Sequence, residues 1–354
     1  MKKKKQVTIQ DVADEAGVSI ATVSRAMNNP SIVDASSHRK VADAIAKLDY
    51  KLRQPIRYSQ ARMLAIILPS ASNAFFAQML EGVLLGATQH SYQTLVFSCH
   101  GDPGREEECL RLASRAQVDG LLFCPLADGS AQLAQALFAE SFPLLVLYRR
   151  SFLQHRPHIY YNNEQGGYLA TKLLLRLGRR NIAFFIGFWQ EPGGSIEEIL
   201  ALIDDPRRGS YASLDRLAGY LRAISEFGLV LDPTLLCTTD YTFESGYERT
   251  KQFLSTLRDF DAVLCGNDSV AAGVLQALRE QHIQVPSQVS VIGYDDSTLA
   301  SIARPELTSV YQDAKQLGVR SVEMIGSLFD KGEVGDVVLD TYLTIRSSTA
   351  MKQA

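Results

Sequence analysis

Several polar side chains near the N-terminus are spaced for contact with a polyanion. They are Ser19, Thr22, Ser24 and Arg25. The hydroxyls can donate to phosphate oxygens, and the guanidinium can donate two hydrogen bonds to the edge of a guanine. Ile20 and Ala21 stand beside them, where an apolar side chain can contact the methyl group of a thymine. A place in the local core is an almost equally good interpretation for Ile20.

Three short helices are needed to position these side chains. Thr8 can cap a first helix that ends at Gly17, while Ser19 and Asp34 can cap a second and a third. Apolar residues recur at helical spacing in all three: Ile9, Val12, Ala13, Ala16, Val23, Ala26, Met27, Val41, Ala44, Ile45 and Leu48. A tight turn between the first two helices is typical of the helix-turn-helix. The sequence therefore predicts a small all-α DNA-binding domain over residues 1–50.

The charge distribution supports this interpretation. The chain of 354 residues has a net charge of −3, yet residues 1–62 hold twelve lysines and arginines against six acidic residues. The remainder holds 24 basic against 33 acidic residues. A basic N-terminal part and an acidic remainder indicate that only the N-terminal part meets a nucleic acid.

From Met63 onward, short apolar runs alternate with helical stretches. The runs are 64–68, 94–97, 120–123, 144–147, 182–186, 262–264 and 289–292. Continuous apolar strands separated by helices are typical of parallel, doubly wound sheets buried on both faces. We expect two α/β lobes, one over 63–160 plus 295–325 and the other over 161–294 plus 326–354. Ligands of such sheets bind at the carboxyl ends of the strands.

The segment Val7–Asn28 closely resembles the N-terminal motif of the lactose/galactose repressor family, T-I-x-D-V-A-x-x-A-G-V-S-x-x-T-V-S-R-x-x-N. Looser matches, such as 73–77 and 289–296, extend over nearly the whole chain. The resemblance implies a bacterial, cytoplasmic repressor of carbohydrate-metabolism genes that binds a palindromic operator as a homodimer. It also implies a two-lobed domain of the periplasmic-binding-protein type, with a sugar or sugar-derivative effector in the cleft between the lobes.

The resemblance implies two sets of DNA contacts in the helical domain. Those expected on the DNA backbone are Thr8, Ser19, Thr22, Ser24, Asn28 and Tyr50, and those expected on bases are Ile20, Ala21 and Arg25.

The hinge, residues 51–62, departs from the family pattern. Leu52 and Ser59 stand where the family has a proline and a leucine that wedges into the minor groove. The residues of this segment that we expect on DNA are Arg53, Ile56, Arg57 and Tyr58. An apolar wedge needs a bulky side chain, so Ile56 or Tyr58 supplies it, or DNA kinking is weak.

For the effector, the resemblance implies both polar and aromatic ligand-binding residues. The polar ones are Arg216, Asn267 and Asp295, and the aromatic ones are Phe75, Phe76 and Tyr241. Such groups suit a polyol. Core packing is the simpler role for the phenylalanines, more so for Phe76 than for Phe75. Arg216 could instead form an ion pair between the lobes, and Asp295 could also cap the following helix.

Two further departures bear on the ligand. Family members often have an aspartate before an arginine after the fourth strand, whereas this chain has Tyr148, Arg149 and Arg150. Loss of the carboxylate next to two arginines favours an anionic effector, such as a sugar acid or a sugar phosphate. The chain would then resemble the sugar-acid-responsive branch of the family. The alternative is that both arginines point to solvent. The stretch 190–212 is longer than expected and predicts a short amphipathic helix, either a lid, a partner contact or a neutral surface addition.

Other classes of protein fit the sequence less well. No apolar run reaches the roughly 18 residues of a membrane span, no apolar segment follows Lys2–Lys5 as in a signal peptide, and the five cysteines form no C-x-x-C pair. The alternative function is that of a solute-binding protein of a transport system. Proteins of that class need a secretion signal and contain no helix-turn-helix. Nucleotide-binding, hydrolase and zinc-protease motifs are absent, and His155 and His158 are expected in solvent. We therefore expect neither an enzyme nor a resident cofactor or metal.

Overall fold

The computed structural model describes residues 7–28, 33–48, 62–189, 194–205, 211–256, 259–330 and 332–352. The chain divides into two compact units, residues 1–60 and 61–354, and this boundary falls within the predicted hinge. Five residues predicted to contact DNA lie outside the described residues: Tyr50, Arg53, Ile56, Arg57 and Tyr58. The hypothesis about the minor-groove wedge therefore stays a prediction.

The first unit contains the three predicted helices, α1 (Ile9–Ala16), α2 (Ile20–Asn28) and α3 (Ala35–Lys47). Thr8 caps α1 reciprocally with Asp11, because each residue's backbone N–H donates to the other's side chain, at 2.6 and 3.3 Å. Gly17 ends the helix with φ +66°, a left-handed conformation that favours glycine. The core is formed by Val12, Ala13, Ala16, Val23, Ala26, Val41 and Ala44. We call residues 7–48 of this unit the helix-turn-helix unit.

The second unit alternates strands and helices. In chain order it contains β1 (Met63–Leu68), α4 (Ala74–Gln89), β2 (Gln93–Ser98), α5 (Pro103–Arg115), β3 (Gly120–Phe123), α6 (Ser130–Leu137), β4 (Leu144–Leu147), β5 (His158–Tyr161), α7 (Asn163–Arg176), β6 (Ile182–Gly187), α8 (Ile196–Ala201), α9 (Ala212–Glu226), β7 (Leu236–Thr239), α10 (Phe243–Thr256), β8 (Ala262–Cys265), α11 (Asp268–Glu280), β9 (Ser290–Asp295), α12 (Thr298–Ile302), β10 (Thr308–Tyr311), α13 (Ala314–Phe329), β11 (Val337–Leu339) and β12 (Tyr342–Thr344). A 3-10 turn, Pro233–Leu235, precedes β7.

These elements form two lobes, each around a six-stranded sheet. The strand order is β11-β5-β4-β3-β1-β2 in the first lobe and β12-β10-β9-β8-β6-β7 in the second. Among the described strands, all pairs are parallel except β10 with β12. The central strands are apolar and buried, as β1, β4 and β6 illustrate, so the predicted doubly wound α/β class is confirmed.

The predicted lobe boundaries are wrong where the chain returns between lobes. Residues 295–307 and β10 belong to the second lobe, because β10 pairs with β9. α13 throughout and β11 belong to the first lobe, because β11 pairs with β5 and α13 packs on α4. The chain crosses between the lobes three times, at residues 161–163, 311–314 and 339–342. Local apolar runs do not reveal which sheet a strand joins, and β11 is only three residues long.

One polar side chain was misplaced. His158 lies in β5 and is 2% exposed, so the expectation that it is in solvent is wrong. Its Nδ1 lies 3.1 Å from Asp336 Oδ1, and its other ring nitrogen contacts the carbonyl oxygen of Phe152. These two partners compensate for burial of the ring.

Candidate functional site

The helix-turn-helix unit presents the predicted DNA-contacting side chains on α2 and its approach. Ser19, Ala21 and Arg25 are exposed, and Thr22 and Ser24 are half-buried. Ser19 caps α2, because its hydroxyl accepts the backbone N–H of Thr22 at 3.1 Å. Thr8 is exposed at the start of α1, and Asn28 is the last residue of α2.

Ile20 is 43% exposed and is not part of the buried core of this unit. The core interpretation of Ile20 is therefore wrong, and its side chain is available to a base edge. An isoleucine that remains exposed at the start of a helix beside three hydroxyl side chains is the arrangement expected of a recognition helix.

In the two-lobed unit, the predicted ligand residues gather at the carboxyl ends of strands from both sheets. Arg216 of α9 is 1% exposed and contacts both lobes. Its Nη2 donates to the hydroxyl of Tyr148 in the first lobe at 2.8 Å, and its Nε donates to Asn163 Oδ1 at 3.0 Å. Nη1 donates to the carbonyl of Gly266, and the guanidinium lies 3.6 Å from the centre of the Tyr294 ring. All three guanidinium nitrogens therefore have acceptors.

Arg216 does not form the ion pair between lobes that was its alternative role. Its nearest carboxylate is Asp295, in its own lobe, with 3.8 Å between Nη2 and Oδ1. The link between lobes is instead the hydrogen bond to Tyr148. Burial lowers the pKa of the Arg216 guanidinium, whereas the surrounding tyrosines and Asp295 raise it. The neighbours outweigh burial, so the pKa is raised overall.

Asp295 lies at the end of β9 with φ +90°, a conformation that costs a non-glycine residue free energy. Its Oδ1 is buried and has no hydrogen-bond partner among the described residues. Burial raises the pKa of this carboxyl to about 6, and the nearby Arg216 charge opposes that shift. Asp295 does not cap α12, whose N-cap residue is Ser297, so that interpretation is wrong.

Asn267 serves a local structural purpose. It caps α11, since its Oδ1 accepts the N–H of Val270 at 2.9 Å. Its Nδ2 donates to the backbone carbonyl of Tyr241 at 3.1 Å and so fixes that residue, which has φ +66°. Direct contact between Asn267 and a ligand stays a prediction.

Aromatic side chains fill the space between the lobes. Phe75 and Phe76 begin α4 and are each 3% exposed. The Tyr148 ring packs on both of them, with ring centres 5.2 and 5.5 Å apart. Trp189, which follows β6, lies 6.1 Å from the Phe76 ring and 5.3 Å from the Tyr241 ring. Trp189 therefore bridges the lobes.

These rings enclose a cavity of about 30 Å³, which has room for about two water molecules. It is lined by Pro69, Phe76, Pro125, Leu126, Tyr148, Arg149, Phe188, Trp189, Tyr211, Ala212, Ser213 and Tyr241. Phe76 lines the cavity whereas Phe75 packs behind it, the reverse of the expectation from sequence. A sugar ring needs more space, so the lobes or Trp189 must move to admit one.

The two arginines after β4 differ in environment. Arg149 is 2% exposed, donates to Asp128 through Nη2, and lies 4.2 Å from the centre of the Tyr211 ring across the cleft. Arg150 donates through Nε and Nη2 to both oxygens of Asp215 in α9, at 3.1 and 2.9 Å. The alternative that both point to solvent is therefore wrong for Arg149, and Arg150 links the lobes.

Sequence reasoning singled out neither Ser213 nor Tyr211 as a site residue. The Ser213 hydroxyl lies 2.6 Å from that of Tyr241. The sequence did not single out Trp189 as a ligand-binding residue either, although its place shortly after the apolar run 182–186 was a usable signal. The predicted amphipathic helix is α8, and its Ile199 is buried against the second lobe. Residues 190–193 and 206–210 lie outside the described residues, so a lid or partner role stays a prediction.

The chain combines a helix-turn-helix unit with a two-lobed α/β unit that has a polar and aromatic cleft. This combination defines the class of DNA-binding regulators that contain their own small-molecule sensor domain. Residues 8–52 match the model of bacterial regulatory proteins of the lacI family, and residues 171–349 match a periplasmic-binding-protein-like domain. The chain belongs to the lacI family and is a DNA-binding transcription regulator. None of the described helices is long and apolar enough to cross a bilayer.

Relatives match over nearly the full length. The HTH-type transcriptional regulator RegA of Clostridium saccharobutylicum is 31% identical, covering 97% of this chain and 99% of RegA. Among solved structures, the lac repressor dimer bound to operator and an anti-inducer is 26% identical with a TM-score of 0.72, covering 98% of this chain and 100% of that one. The CelR–cellobiose complex is 27% identical with a TM-score of 0.69, covering 97% and 99%.

Proposed function

We propose that this regulator is a bacterial repressor of carbohydrate-metabolism genes. It binds a palindromic operator as a homodimer in the cytoplasm, and a sugar or sugar derivative in the cleft controls its operator affinity. It has no enzymatic activity and needs no resident cofactor. Two half-sites about one helical turn apart suit two copies of α2 in a two-fold dimer.

One observation carries the effector proposal. Buried Arg216 joins the two lobes through Tyr148, next to the unpartnered oxygen of Asp295. A hydroxyl-rich ligand can accept from Arg216 and donate to Asp295, while the rings of Phe76, Trp189 and Tyr241 provide the flat surface for its carbon face. Ligand entry must break the Arg216–Tyr148 contact, so ligand binding and the arrangement of the lobes are energetically coupled.

The relatives support the same proposal. The lac repressor structure contains an operator and a dimer, and the CelR structure contains cellobiose, a sugar. A solute-binding protein of a transport system remains the rival function, and the exposed polar face of α2 argues against it because a transport protein has no use for such a surface.

Genomic footprinting of the full-length protein, followed by fluorescence-anisotropy titration of the sites found, tests the DNA part. We expect palindromic sites near carbohydrate genes and an affinity that falls steeply with salt, because lysine and arginine contacts release counterions. An Arg25→Met variant should lose preference at one base pair of the site. Absence of any preferred duplex, with and without a panel of sugars, would overturn the proposal.

A further inference from the structure

Arg149 has hydrogen-bonding capacity that none of the described residues uses. It is 2% exposed, and its Nε and Nη1 atoms are buried without a hydrogen-bond partner in the part of the chain that the structure describes. Of its three nitrogens, Nη2 alone has an acceptor there, Asp128. Buried guanidinium N–H groups without acceptors cost stability, so their retention indicates that a ligand satisfies them at another stage of the protein's cycle.

The start of α9 lies opposite and also lacks acceptors. This helix of 15 residues begins at Ala212 without a side-chain cap from Tyr211. The N–H groups of Leu214 and Asp215 donate to the Tyr211 carbonyl, whereas among the described residues none accepts from Ala212 or Ser213. Free N–H groups and the helix dipole make such a terminus attractive to an anion.

Arg149, Ala212 and Ser213 line the same cavity, Arg149 from the first lobe and the other two from the second. Two independent groups of donors therefore line one cavity, and the Arg149 guanidinium lies 4.2 Å from the centre of the ring of Tyr211, the residue directly before α9. The rings of Phe76 and Trp189 line the same cavity and offer an apolar surface. A ligand that satisfies both the donors and the rings has an acidic group and a hydroxylated carbon body.

We propose that the acidic group of the effector, a carboxylate or a phosphate, binds between Arg149 and the N-terminus of α9. The inference rests on the proposed function, since it names the chemical class of the molecule that the cleft takes: a sugar acid or a sugar phosphate. Arg150 has a separate role, since it holds Asp215 and does not line the cavity.

Two carboxyl groups near Arg149 bear on the charge balance. Asp128 pairs with Nη2 and its side chain is 48% exposed, so water screens it. Glu106 is fully buried; its Oε2 accepts the N–H of Leu126, and burial raises its pKa, which favours the uncharged form. The N–H groups of Arg149 that lack acceptors therefore remain available to an anion.

The test uses Trp189, the only tryptophan of the chain, which lines the same cavity. Its emission is titrated in the full-length protein with glucose, gluconate, glucose 6-phosphate and inorganic phosphate at constant ionic strength. The variants are Arg149→Met, which removes the donors, and Ala212→Asp, which places a carboxylate in the anion position and suits a helix start. Ala212→Asn and the exposed Arg111→Met are the matched controls.

We expect gluconate or glucose 6-phosphate to bind the wild type and both controls, and to bind Arg149→Met and Ala212→Asp about tenfold or more weakly. Binding of gluconate alone identifies a carboxylate, and binding of glucose 6-phosphate and phosphate identifies a phosphate. The subsite is overturned if glucose binds as tightly as both anions, if the two variants bind anions like the wild type, or if no anion changes the emission. Operator binding is measured on the same samples, so that failure of the anion subsite can be distinguished from failure of the proposed function. If neutral glucose changes operator affinity, the proposed function stands and the anion subsite is overturned.

Discussion

The helix-turn-helix unit and the two-lobed unit place their functional side chains in opposite ways. In the first, Ser19, Ile20 and Arg25 lie within seven consecutive residues and are exposed. In the second, Tyr148 and Arg216 come from distant segments and meet in a buried contact. The DNA-binding surface therefore depends on one correctly capped helix, whereas the cleft exists only when the whole unit is folded.

This difference predicts how substitutions affect each unit. A substitution on α2 changes recognition and leaves the small core intact, because the side chains concerned contribute little to packing. A substitution in the cleft changes ligand binding and stability together, because the same buried groups serve both. Four tests by substitution probe this contrast.

The largest effect is expected for Arg216→Met. The change leaves Asn163 Oδ1, the Gly266 carbonyl and Asp295 without their cationic partner, and breaking a buried charged network costs about 3–5 kcal/mol. We expect the free energy of unfolding, followed by Trp189 fluorescence in urea, to fall by this amount, together with loss of sugar binding. Arg222→Met, on the same helix but 45% exposed, is the control and should change stability little. Equal loss in both variants would break the comparison.

The second effect concerns recognition without a loss of stability. Arg25→Met should weaken binding to the preferred operator by about 1–3 kcal/mol, because it removes discrimination at one base pair. Non-specific binding should remain nearly unchanged. Ile20→Ala should act the same way at a T·A pair, but less. Thr22→Ala, which removes a hydroxyl predicted to contact a phosphate, should weaken binding to all duplexes alike. Anisotropy titrations against single-base operator variants measure all three. A melting temperature lowered by Arg25→Met would contradict the separation of function from packing.

The third test is the pH dependence of the two-lobed unit. Asp268 is buried, and burial together with repulsion from Asp295 raises its pKa to about 8. An unfolded aspartate ionises near 3.9, so between about pH 4 and 8 the folded state binds more protons than the unfolded state. The free energy of unfolding should therefore fall as pH rises, by about 1 kcal/mol per pH unit between pH 5 and 7.

Asp268→Asn should flatten this pH profile. The amide keeps an oxygen for the backbone N–H of Ser297, at 2.6 Å, but does not titrate. Urea unfolding by Trp189 fluorescence at several pH values measures the slope, with Asp330→Asn, 82% exposed, as the control. Profiles of Asp268→Asn and wild type that run parallel would contradict the raised pKa.

The smallest effect is expected at Gly17. A Cβ here would meet no described atom within 4 Å, so Gly17→Ala introduces only the strain of φ +66°. The reduced freedom of the unfolded chain offsets part of that strain, and we expect a net loss of stability of about 1 kcal/mol. In the two-lobed unit, a Cβ at Gly318 would lie 2.1 Å from the Met79 carbonyl oxygen, where α13 crosses α4. Gly318→Ala should therefore cost clearly more, about 1–3 kcal/mol. Thermal unfolding of both variants makes the comparison.

The sequence allowed prediction of what is local. Helix caps at Thr8 and Asp34 and the apolar strands such as β1 and β6 are determined by neighbouring residues, and all are confirmed. Strands that are short or partly polar, such as β5 and β11, carry no such pattern, and whether β10 joins the first or the second sheet depends on pairing with distant residues. The lobe boundaries failed for this reason.

The candidate site shows the same division. Family resemblance singled out Arg216 and Asp295 as expected ligand residues, but their partners depend on how the lobes meet. The orientation of neighbouring side chains in three dimensions decides that Arg149 and Arg150 have different partners. It also decides that Phe76 rather than Phe75 lines the cavity. Residue type and spacing do not contain that information.

The three crossings between the lobes have a consequence for synthesis on the ribosome. The first sheet is completed by β11, near the C-terminus, so neither lobe can reach its final form until almost the whole polypeptide has emerged. The three N-terminal helices close their core within the first 48 residues and can fold while translation continues. A nascent chain can therefore contain a folded helix-turn-helix unit well before its two-lobed unit is complete.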